Sequence, residues 1–415
     1  MIGFAALRPA LPILLGAALL LSLSMGLRQS LGLFLQPLTR DLSLAVADFT
    51  VAIAVQNVAW GILQPFAGAL ATRLGFRPLM LTGAIFYIAG LVVLATAQGL
   101  WGVVIGAGVL IGLSLACTAS AIALAVASRA VPVAIRSTVL GMISAAGSLG
   151  SVIAAPAGQL LADGYGWRAG VIGFAVLALG LLPAAWFAGR VDRIPLPPRV
   201  AGTLGDTSVG TAVRTAMSNT SFLIMAGAYF ICGMQLVFIT THLPSYLALC
   251  GMDPMLGAEV LAVIAAFNVA GSLFFGWAGG RWSKQMLLGT IYTSRSIVLG
   301  FYFAFPPTPL GTLVFAALMG FLWLGVGPLI SGAVAEMFGL RWQAMIQGIA
   351  FMSHQVGSFM GALGGGLLFD ALGSYDLAWK LGVGLGLVAG TCQLLFAAPP
   401  PSPRPPQLDL VPRAV

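Results

Sequence analysis

The chain has 415 residues, of which 59% are hydrophobic and only 7% are charged. Soluble domains carry about 25% charged residues, so this composition excludes an ordinary soluble protein. The 54 glycines and 24 prolines follow no collagen-like period, and four cysteines are too few for a disulfide framework. The remaining class is a polytopic α-helical membrane protein.

Apolar segments of about 20 residues or more, each long enough to cross a bilayer, recur along the whole chain. Six precede a polar gap and are predicted at 10–38, 47–72, 78–97, 101–128, 137–162 and 167–189. Six follow that gap and are predicted at 219–249, 256–281, 285–305, 309–336, 343–369 and 376–397. The sequence therefore predicts an all-α fold of twelve transmembrane helices in two six-helix halves, 1–189 and 219–398.

Two segments lie outside these halves. The gap at 190–218 is rich in arginine and proline and is predicted to be a cytoplasmic linker. The proline-rich segment 399–415 is predicted to be a disordered cytoplasmic tail. The first span follows Arg8, as a signal peptide would follow its basic residues. It is not followed by a small-residue cleavage site and a soluble body, so we interpret it as a membrane helix and not as a signal peptide.

The net charge of +8 comes from 19 basic and 11 acidic residues. The basic residues are spread between apolar runs, which gives no patch for a nucleic acid. Fourteen of them fall on one predicted side of the membrane, and only Arg40, Arg168 and Lys380 fall on the other. Cytoplasmic loops are enriched in Lys and Arg, so both termini and the linker are predicted to lie in the cytoplasm, with the helices in the cytoplasmic (inner) membrane.

The four cysteines, Cys117, Cys232, Cys250 and Cys392, all lie in apolar runs. Cys232 and Cys250 share one predicted helix and are about 27 Å apart along its axis, so they cannot pair with each other. We expect all four thiols to be buried as small hydrophobic side chains.

The two halves repeat each other. Six positions recur 207 or 208 residues later, namely Gly141, Gly150, Gly158 and Asp163 as Gly348, Gly357, Gly365 and Asp370, and Gly68 and Arg73 as Gly276 and Arg281. Glycine spacing alone is also typical of close helix packing, but the constant offset favours an internal repeat. Two six-helix repeats in the same direction are typical of a rocker-type secondary transporter.

The remaining two basic residues, Arg28 and Arg295, lie inside predicted helices. A central arginine costs about 2.5–3.5 kcal/mol on insertion scales, and the acidic residues all fall at or beyond helix ends. Two membrane cations without an internal anion indicate an anionic substrate, because a guanidinium binds a carboxylate through two parallel hydrogen bonds. The alternatives are backbone carbonyl partners, an interfacial position or, for Arg295 above all, a structural brace.

His354 lies near the middle of the eleventh predicted helix. Its ordinary pKa is close to neutral pH, so it is the candidate for proton coupling, with a neutral hydrogen-bonding role as the alternative. Asn57, Asn268 and Gln355 are further substrate-binding candidates, although amides at this depth also simply join helices.

Other side chains at mid-depth are candidates for a cavity wall or for helix packing: Gln56, Trp60, Tyr229, Phe238, Phe267 and Phe351. His242 lies towards the periplasmic end of the seventh predicted helix and is expected at an entrance or an interface.

Enzyme chemistry finds no support in the sequence. It contains no Cys/His cluster at metal-ligand spacing, no Walker loop and no nucleophile with a base and an orienting acid. We therefore predict a protein that is not an enzyme and takes no metal or cofactor, and whose transport runs on gradients.

The loop after the second helix resembles the cytoplasmic loop signature of the major facilitator superfamily. It reads Gly68-Ala-Leu-Ala-Thr72-Arg73-Leu-Gly75-Phe-Arg77, with Thr72 where an aspartate usually stands. The resemblance implies a gating role for Gly68, Arg73, Gly75 and Arg77. It also implies that Thr72 weakens the charge latch that the family builds there.

Three further stretches, 26–34, 56–65 and 353–359, resemble bacterial members of the monocarboxylate and oxalate/formate porter branch. Animal monocarboxylate porters carry a cation at the position of Arg28 and usually an acid at the position of Asn268. Their acidic, tryptophan-containing signature before the first helix is absent here.

Together the residues and the resemblance predict a secondary active transporter for a small organic monocarboxylate such as lactate or pyruvate. It would work by alternating access with proton coupling, as a monomer in the lipid bilayer. An organic anion exchanger of the oxalate/formate type and a drug or metabolite exporter are the alternatives, although cation exporters usually carry a buried acid. A membrane sensor would need a soluble signalling segment, for which the chain has little room.

Overall fold

The computed structural model describes residues 8–196, 204–205 and 207–397. Every regular element in these residues is helical, so the predicted all-α class is confirmed. The predicted tail at 399–415 lies outside the described residues, as does part of the linker.

The described residues form twelve long helices. Those of the first half are α1 (Leu11–Asp41), α2 (Val46–Leu74), α3 (Phe76–Ala95), α4 (Leu100–Ala130), α5 (Val133–Tyr165) and α6 (Trp167–Arg193). Those of the second half are α7 (Thr220–Leu249), α8 (Pro254–Ala278), α9 (Lys284–Phe303), α10 (Pro309–Phe338), α11 (Gln343–Leu372) and α12 (Asp376–Phe396). A short helix, Val209–Met217, precedes α7.

Ten of these helices are long and apolar enough to cross a membrane. The other two, α9 and α11, are long enough but more polar, and they contain Arg295 and His354. The chain is therefore a polytopic helical membrane protein, as the sequence predicts.

Four of the described long helices are interrupted along their length, which the sequence does not predict. A 3₁₀ turn at Leu31–Phe34 interrupts α1, and α4 contains a π-helical turn at Val104–Leu110 and a bend at Ala119. Turns at 179–180 and 322–325 divide α6 and α10. Each break frees backbone groups that need partners from neighbouring elements, because lipid supplies none.

The sequence repeat corresponds to the same helix crossing in each half. In the first half α1 packs against α5, and in the second half α7 packs against α11. A Cβ atom on Gly150 would collide with the backbone oxygen of Ser22, and a Cβ atom on Gly357 would collide with that of Phe230. Ser22 and Phe230 are themselves 208 residues apart, so the repeated glycines allow equivalent close approaches of two backbones.

The halves meet mainly through two helix pairs, α2 with α11 and α5 with α8, with smaller contacts of α10 with α4 and α5 and of α11 with α4. These contacts lie towards the membrane face at which α6 ends and α7 begins, which we call the linker side. A Cβ atom on Gly141 of α5 would lie 2.6 Å from the Cα atom of Gly276 on α8, and Gly68 of α2 approaches the backbone of Ala344 and Met345 equally closely. The linker side is therefore closed by backbone packing.

Hydrogen bonds reinforce this closure. The Thr72 hydroxyl on α2 donates to the backbone oxygen of Arg341 at 3.0 Å. The Gln343 amide at the start of α11 donates to the Ser128 hydroxyl on α4 at 2.9 Å. Both bonds join the two halves, and neither is an ion pair.

Candidate functional site

A cavity of about 620 Å³ lies between the two halves. Its walls come from α1, α2, α4 and α5 of the first half and from α7, α10 and α11 of the second. It extends to Leu35 near the end of α1 and to Phe49 near the start of α2. Because the halves are closed on the linker side, the cavity opens towards the opposite side.

Arg28 projects from α1 into this cavity. Its Nε atom donates to Gln56 Oε1 at 3.0 Å, and its Nη2 atom donates to Asn57 Oδ1 at 2.5 Å. The guanidinium carbon lies 5.1 Å from the centroid of the Trp60 ring. All three partners are uncharged and lie on α2.

The charge of Arg28 has no acidic partner among the described residues. The salt bridges that those residues form join Arg168 to Asp41 and Lys284 to Glu336. Both pairs lie at helix ends, away from the cavity. Neutral hydrogen-bond acceptors stabilise a guanidinium without cancelling its charge, so Arg28 gives the cavity a fixed positive charge that suits an anion.

Contacts with α4 hold the partners of Arg28 in place. Gln56 Nε2 donates to the backbone oxygen of Ala107, in the π-helical turn, at 2.6 Å. Trp60 Nε1 donates to Gln64 Oε1 at 2.8 Å, and Gln64 Nε2 donates to the backbone oxygen of Ala116 at 3.0 Å. The arginine therefore rests on side chains that are themselves fixed by hydrogen bonds.

His354 reaches the cavity from α11. Its ring stacks on Phe351 with centroids 5.7 Å apart and lies 4.5 Å from the ring of Tyr229. Its Nδ1 atom is 3.3 Å from Gln355 Oε1 and 3.4 Å from the Ser358 hydroxyl. The imidazole is thus held by two rings and two polar groups of the second half.

A hydrogen-bonded chain connects the arginine to the histidine across the two halves. Gln355 Nε2 donates to the backbone oxygen of Asn57 at 3.1 Å and to its Oδ1 atom at 3.4 Å. The same Oδ1 atom accepts the bond from Arg28, and Gln355 Oε1 faces His354. The structure therefore brings together four of the predicted site residues, and their roles in binding and coupling stay predictions.

Arg295, another predicted substrate-binding residue, does not line the cavity. It is fully buried on α9, where Nε donates to Gln235 Oε1 at 3.1 Å and Nη1 donates to Cys232 Sγ at 3.3 Å. Cys232 lines the cavity, so it separates the guanidinium from the cavity. The position matches the alternative considered for Arg295, a brace between helices.

The internal repeat contains the same brace. Arg295 and Cys232 follow Tyr87 and Ser24 by 208 residues, and the buried Tyr87 hydroxyl donates to the backbone oxygen of Ser24 at 2.9 Å. The third helix of each half is thus tied to the first helix at equivalent positions, by a phenol in one half and by a guanidinium in the other.

Asn268 also lies away from the cavity lining. It is buried on α8, and its Oδ1 atom accepts a hydrogen bond from the Leu324 backbone N–H at 2.9 Å. Leu324 belongs to the break in α10, so Asn268 satisfies a backbone group that the break leaves unpaired. It is placed to support α10.

The predicted gating residues lie on the linker side. Gly75 ends α2 with φ +95°, a backbone conformation that favours glycine. The backbone N–H groups of Phe76 and Arg77 both donate to the Asp192 carboxylate at 2.9 Å. A carboxylate from the end of α6 therefore holds the start of α3. Arg73 is exposed on the same side.

Several wall candidates have other positions. Tyr229 and Phe351 do line the cavity, whereas Phe238 packs on Trp379 with centroids 4.4 Å apart. Phe267 is 44% exposed and is not a lining residue. His242 contacts the backbone oxygen of Ala362 at 2.9 Å.

The sequence interpretation also missed several contacts of the site. Gln64 holds the wall candidate Trp60, and Ser358 and Gln235 contact the predicted site residues His354 and Arg295; only their polarity within apolar helices could have indicated this. The expectation that all four cysteines are buried holds for Cys232; Cys117 and Cys392 are only half-buried, and it is wrong for Cys250, which is exposed after the end of α7. No cluster of metal-ligating side chains was found in the described part of the chain.

The sequence model of the Major Facilitator Superfamily matches residues 14–362. Among curated proteins, Monocarboxylate transporter 13 of Rattus norvegicus is 28% identical over 355 residues, which are 83% of this chain and 78% of the relative. The MFS-type transporter YcxA of Bacillus subtilis is 24% identical over 362 residues, which are 84% of this chain and 86% of the relative. These relatives are transporters and not enzymes.

Solved structures share the fold. The proton:xylose symporter XylE matches with a TM-score of 0.70 and 14% identity, over 94% of this chain and 96% of that chain. The transporter FucP in its outward conformation matches with a TM-score of 0.69 and 15% identity, over 92% of this chain and 98% of that chain.

Proposed function

The chain belongs to the major facilitator superfamily, and from this membership and the cavity we propose that it transports a small organic monocarboxylate, such as lactate or pyruvate, by alternating access. Transport would cross the cytoplasmic membrane and be coupled to protons. The observation that carries this proposal is Arg28, a cation that faces the cavity between the halves and contacts only neutral side chains. The relatives named monocarboxylate transporters support the substrate class.

In this proposal Arg28 binds the substrate carboxylate through two parallel hydrogen bonds. Asn57 Oδ1 now accepts from Arg28 Nη2, so an incoming carboxylate competes with it for the guanidinium. When Arg28 no longer donates to Asn57 Oδ1, this oxygen can accept a stronger hydrogen bond from the Gln355 amide, which already lies 3.4 Å away. Substrate binding in one half is thereby communicated to the other half.

We propose His354 as the carrier of the coupled proton. Its Nδ1 atom faces Gln355 and Ser358, and these groups can hold the ring in either protonation state. The described acidic residues lie at helix ends or in loops, which leaves the imidazole as the titrating group beside the cavity.

The orientation follows from the charges. The linker side carries most of the basic residues, so we place it, with both termini, in the cytoplasm. The cavity then opens to the periplasm, and the structure corresponds to an outward-open state.

The substrate is tested by uptake of radiolabelled lactate and pyruvate into proteoliposomes, with and without an inward proton gradient. We expect uptake that rises with the gradient and is lost in Arg28→Ala. Arg40→Ala is the matched control, because Arg40 lies on the same helix but outside the cavity lining. Transport at the wild-type rate by Arg28→Ala would contradict the proposal.

The coupling is tested in His354→Gln, which keeps a hydrogen-bonding side chain but cannot titrate. We expect this variant to lose the stimulation by a proton gradient while it still exchanges external for internal lactate. Wild-type uptake that needs only an internal anion would replace proton coupling by the anion exchange considered for the oxalate/formate type.

A further inference from the structure

Resting on the proposed function, we infer that the preferred substrate carries an aromatic or similarly bulky apolar group next to a single carboxylate. The described lining residues supply one permanent charge, and a wall of rings lies beside it. This refines the substrate class of the same site from small acids to arylalkyl monocarboxylates.

The charge supports a single carboxylate. Among the described lining residues Arg28 is the permanent cation, since Arg295 is fully buried behind Cys232 and His354 is charged only while it carries the coupled proton. A second carboxylate would therefore enter a largely apolar wall without a permanent opposite charge, which is costly. The site suits a monoanion better than a dianion.

The rings begin directly at this charge. The Trp60 ring lies 5.1 Å from the Arg28 guanidinium carbon, and the Phe351 ring lies 4.6 Å from Trp60. Tyr229 continues the series at 6.5 Å from Phe351. Trp60 belongs to the first half and the other two rings to the second, so a ring held among them contacts both halves.

The volume agrees with a substrate of this size. A cavity of about 620 Å³ falls within the ~300–1,000 Å³ that is typical of sites for drug-sized ligands. Lactate bound at Arg28 would leave most of the apolar lining, including Ile53, Leu124 and Leu236, in contact with water. An aryl group would cover that surface and gain the favourable transfer of its own apolar area.

The test compares L-lactate with L-3-phenyllactate, which differ only by the phenyl group, in proteoliposomes of the full chain. We expect a KM at least about tenfold lower for 3-phenyllactate. The diol 3-phenyl-1,2-propanediol, which lacks the carboxylate, should not compete with either acid.

Phe351→Leu removes one ring with little change of volume. We expect it to reduce the ratio of the lactate KM to the 3-phenyllactate KM about fivefold. Phe267→Leu is the matched control because Phe267 lies outside the lining, and Phe351→Tyr should retain the preference.

Equal KM values for the two acids in the wild-type protein would overturn the inference and leave the proposed function intact. An unchanged preference in a folded Phe351→Leu protein would overturn it as well. Competition by the diol as strong as that of 3-phenyllactate, or no transport of either acid, would overturn the proposed function and the inference with it.

Discussion

Arg28 and Arg295 are both arginines inside membrane helices without an acidic partner, yet the structure gives them opposite surroundings. Arg28 faces the cavity between the halves, whereas Arg295 is fully buried inside the second half. Each donates its Nε–H to a glutamine on a neighbouring helix, at 3.0 Å and 3.1 Å. The two arginines therefore have the same kind of partner and differ in their access to the cavity, which is why we propose Arg28 and not Arg295 as the ligand site.

The repeat sharpens this contrast. The counterpart of Arg295 in the first half is the buried Tyr87, whereas the position 208 residues after Arg28 is occupied by Leu236, which lines the same cavity. The brace, a hydrogen bond that ties the third helix to the first, thus occurs in both halves. Among the described lining residues, the permanent positive charge that we propose as the ligand site occurs only in the first half.

The largest effect is expected for Arg28→Ala. Loss of two charge-assisted hydrogen bonds to a carboxylate, about 4 kcal/mol in all, should lower kcat/KM for lactate about 1,000-fold. Arg28→Lys keeps the charge without the planar pair of donors and should recover about tenfold. Uptake kinetics in proteoliposomes measure both values. A wild-type KM in Arg28→Ala would show that Arg28, like Arg295, does not bind the substrate.

Arg295→Ala should have the opposite profile. It leaves a cavity beside Gln235 and Cys232, so we expect it to reduce the free energy of unfolding by about 3 kcal/mol. Thermal unfolding in detergent measures this loss, and the KM of the folded fraction should stay within about twofold. A KM raised as far as in Arg28→Ala would show that Arg295 acts on the substrate.

Asn57→Ala tests the connection between the halves. It removes the shared acceptor of Arg28 and Gln355, which should lower kcat/KM for lactate about tenfold. The Thr96→Ala substitution, at the exposed end of α3, is a control that should leave the uptake rate unchanged. Wild-type kinetics in Asn57→Ala would mean that the bridge is dispensable.

Tyr87→Phe has the smallest expected effect. It removes one buried hydrogen bond to the Ser24 backbone oxygen, with a cost of about 1 kcal/mol in unfolding free energy and no change in KM. If thermal unfolding is unaffected, the two braces of the repeat are not equivalent in strength.

The fold could be predicted because its main determinant, the length of apolar runs, is local. The fifth span, predicted at 137–162, is found at Val133–Tyr165, and the others agree similarly. The internal breaks could not be predicted, because the turn at 322–325 depends on Asn268 of another helix, which accepts the Leu324 N–H.

The site could be predicted in part. Depth in the membrane is readable from sequence, and it identified Arg28, Asn57, His354 and Gln355, which meet at the cavity. The face of a helix is not readable when all faces are apolar, because no periodicity then separates the inside from the outside. This is why Arg295 was grouped with the others and why its partners were missed.

Gly141 and Gly276 meet across α5 and α8, one from each half, with no side chain between their backbones. Because no side chains interlock at this contact, the two helices can rotate on each other while their backbones stay in contact. In the alternating access that we propose, the hydrogen bonds of Thr72 and Gln343 on the same side would break when the halves rotate, whereas this contact could be kept. A single methyl group added at either glycine would push α5 and α8 apart and so change the angle between the two halves.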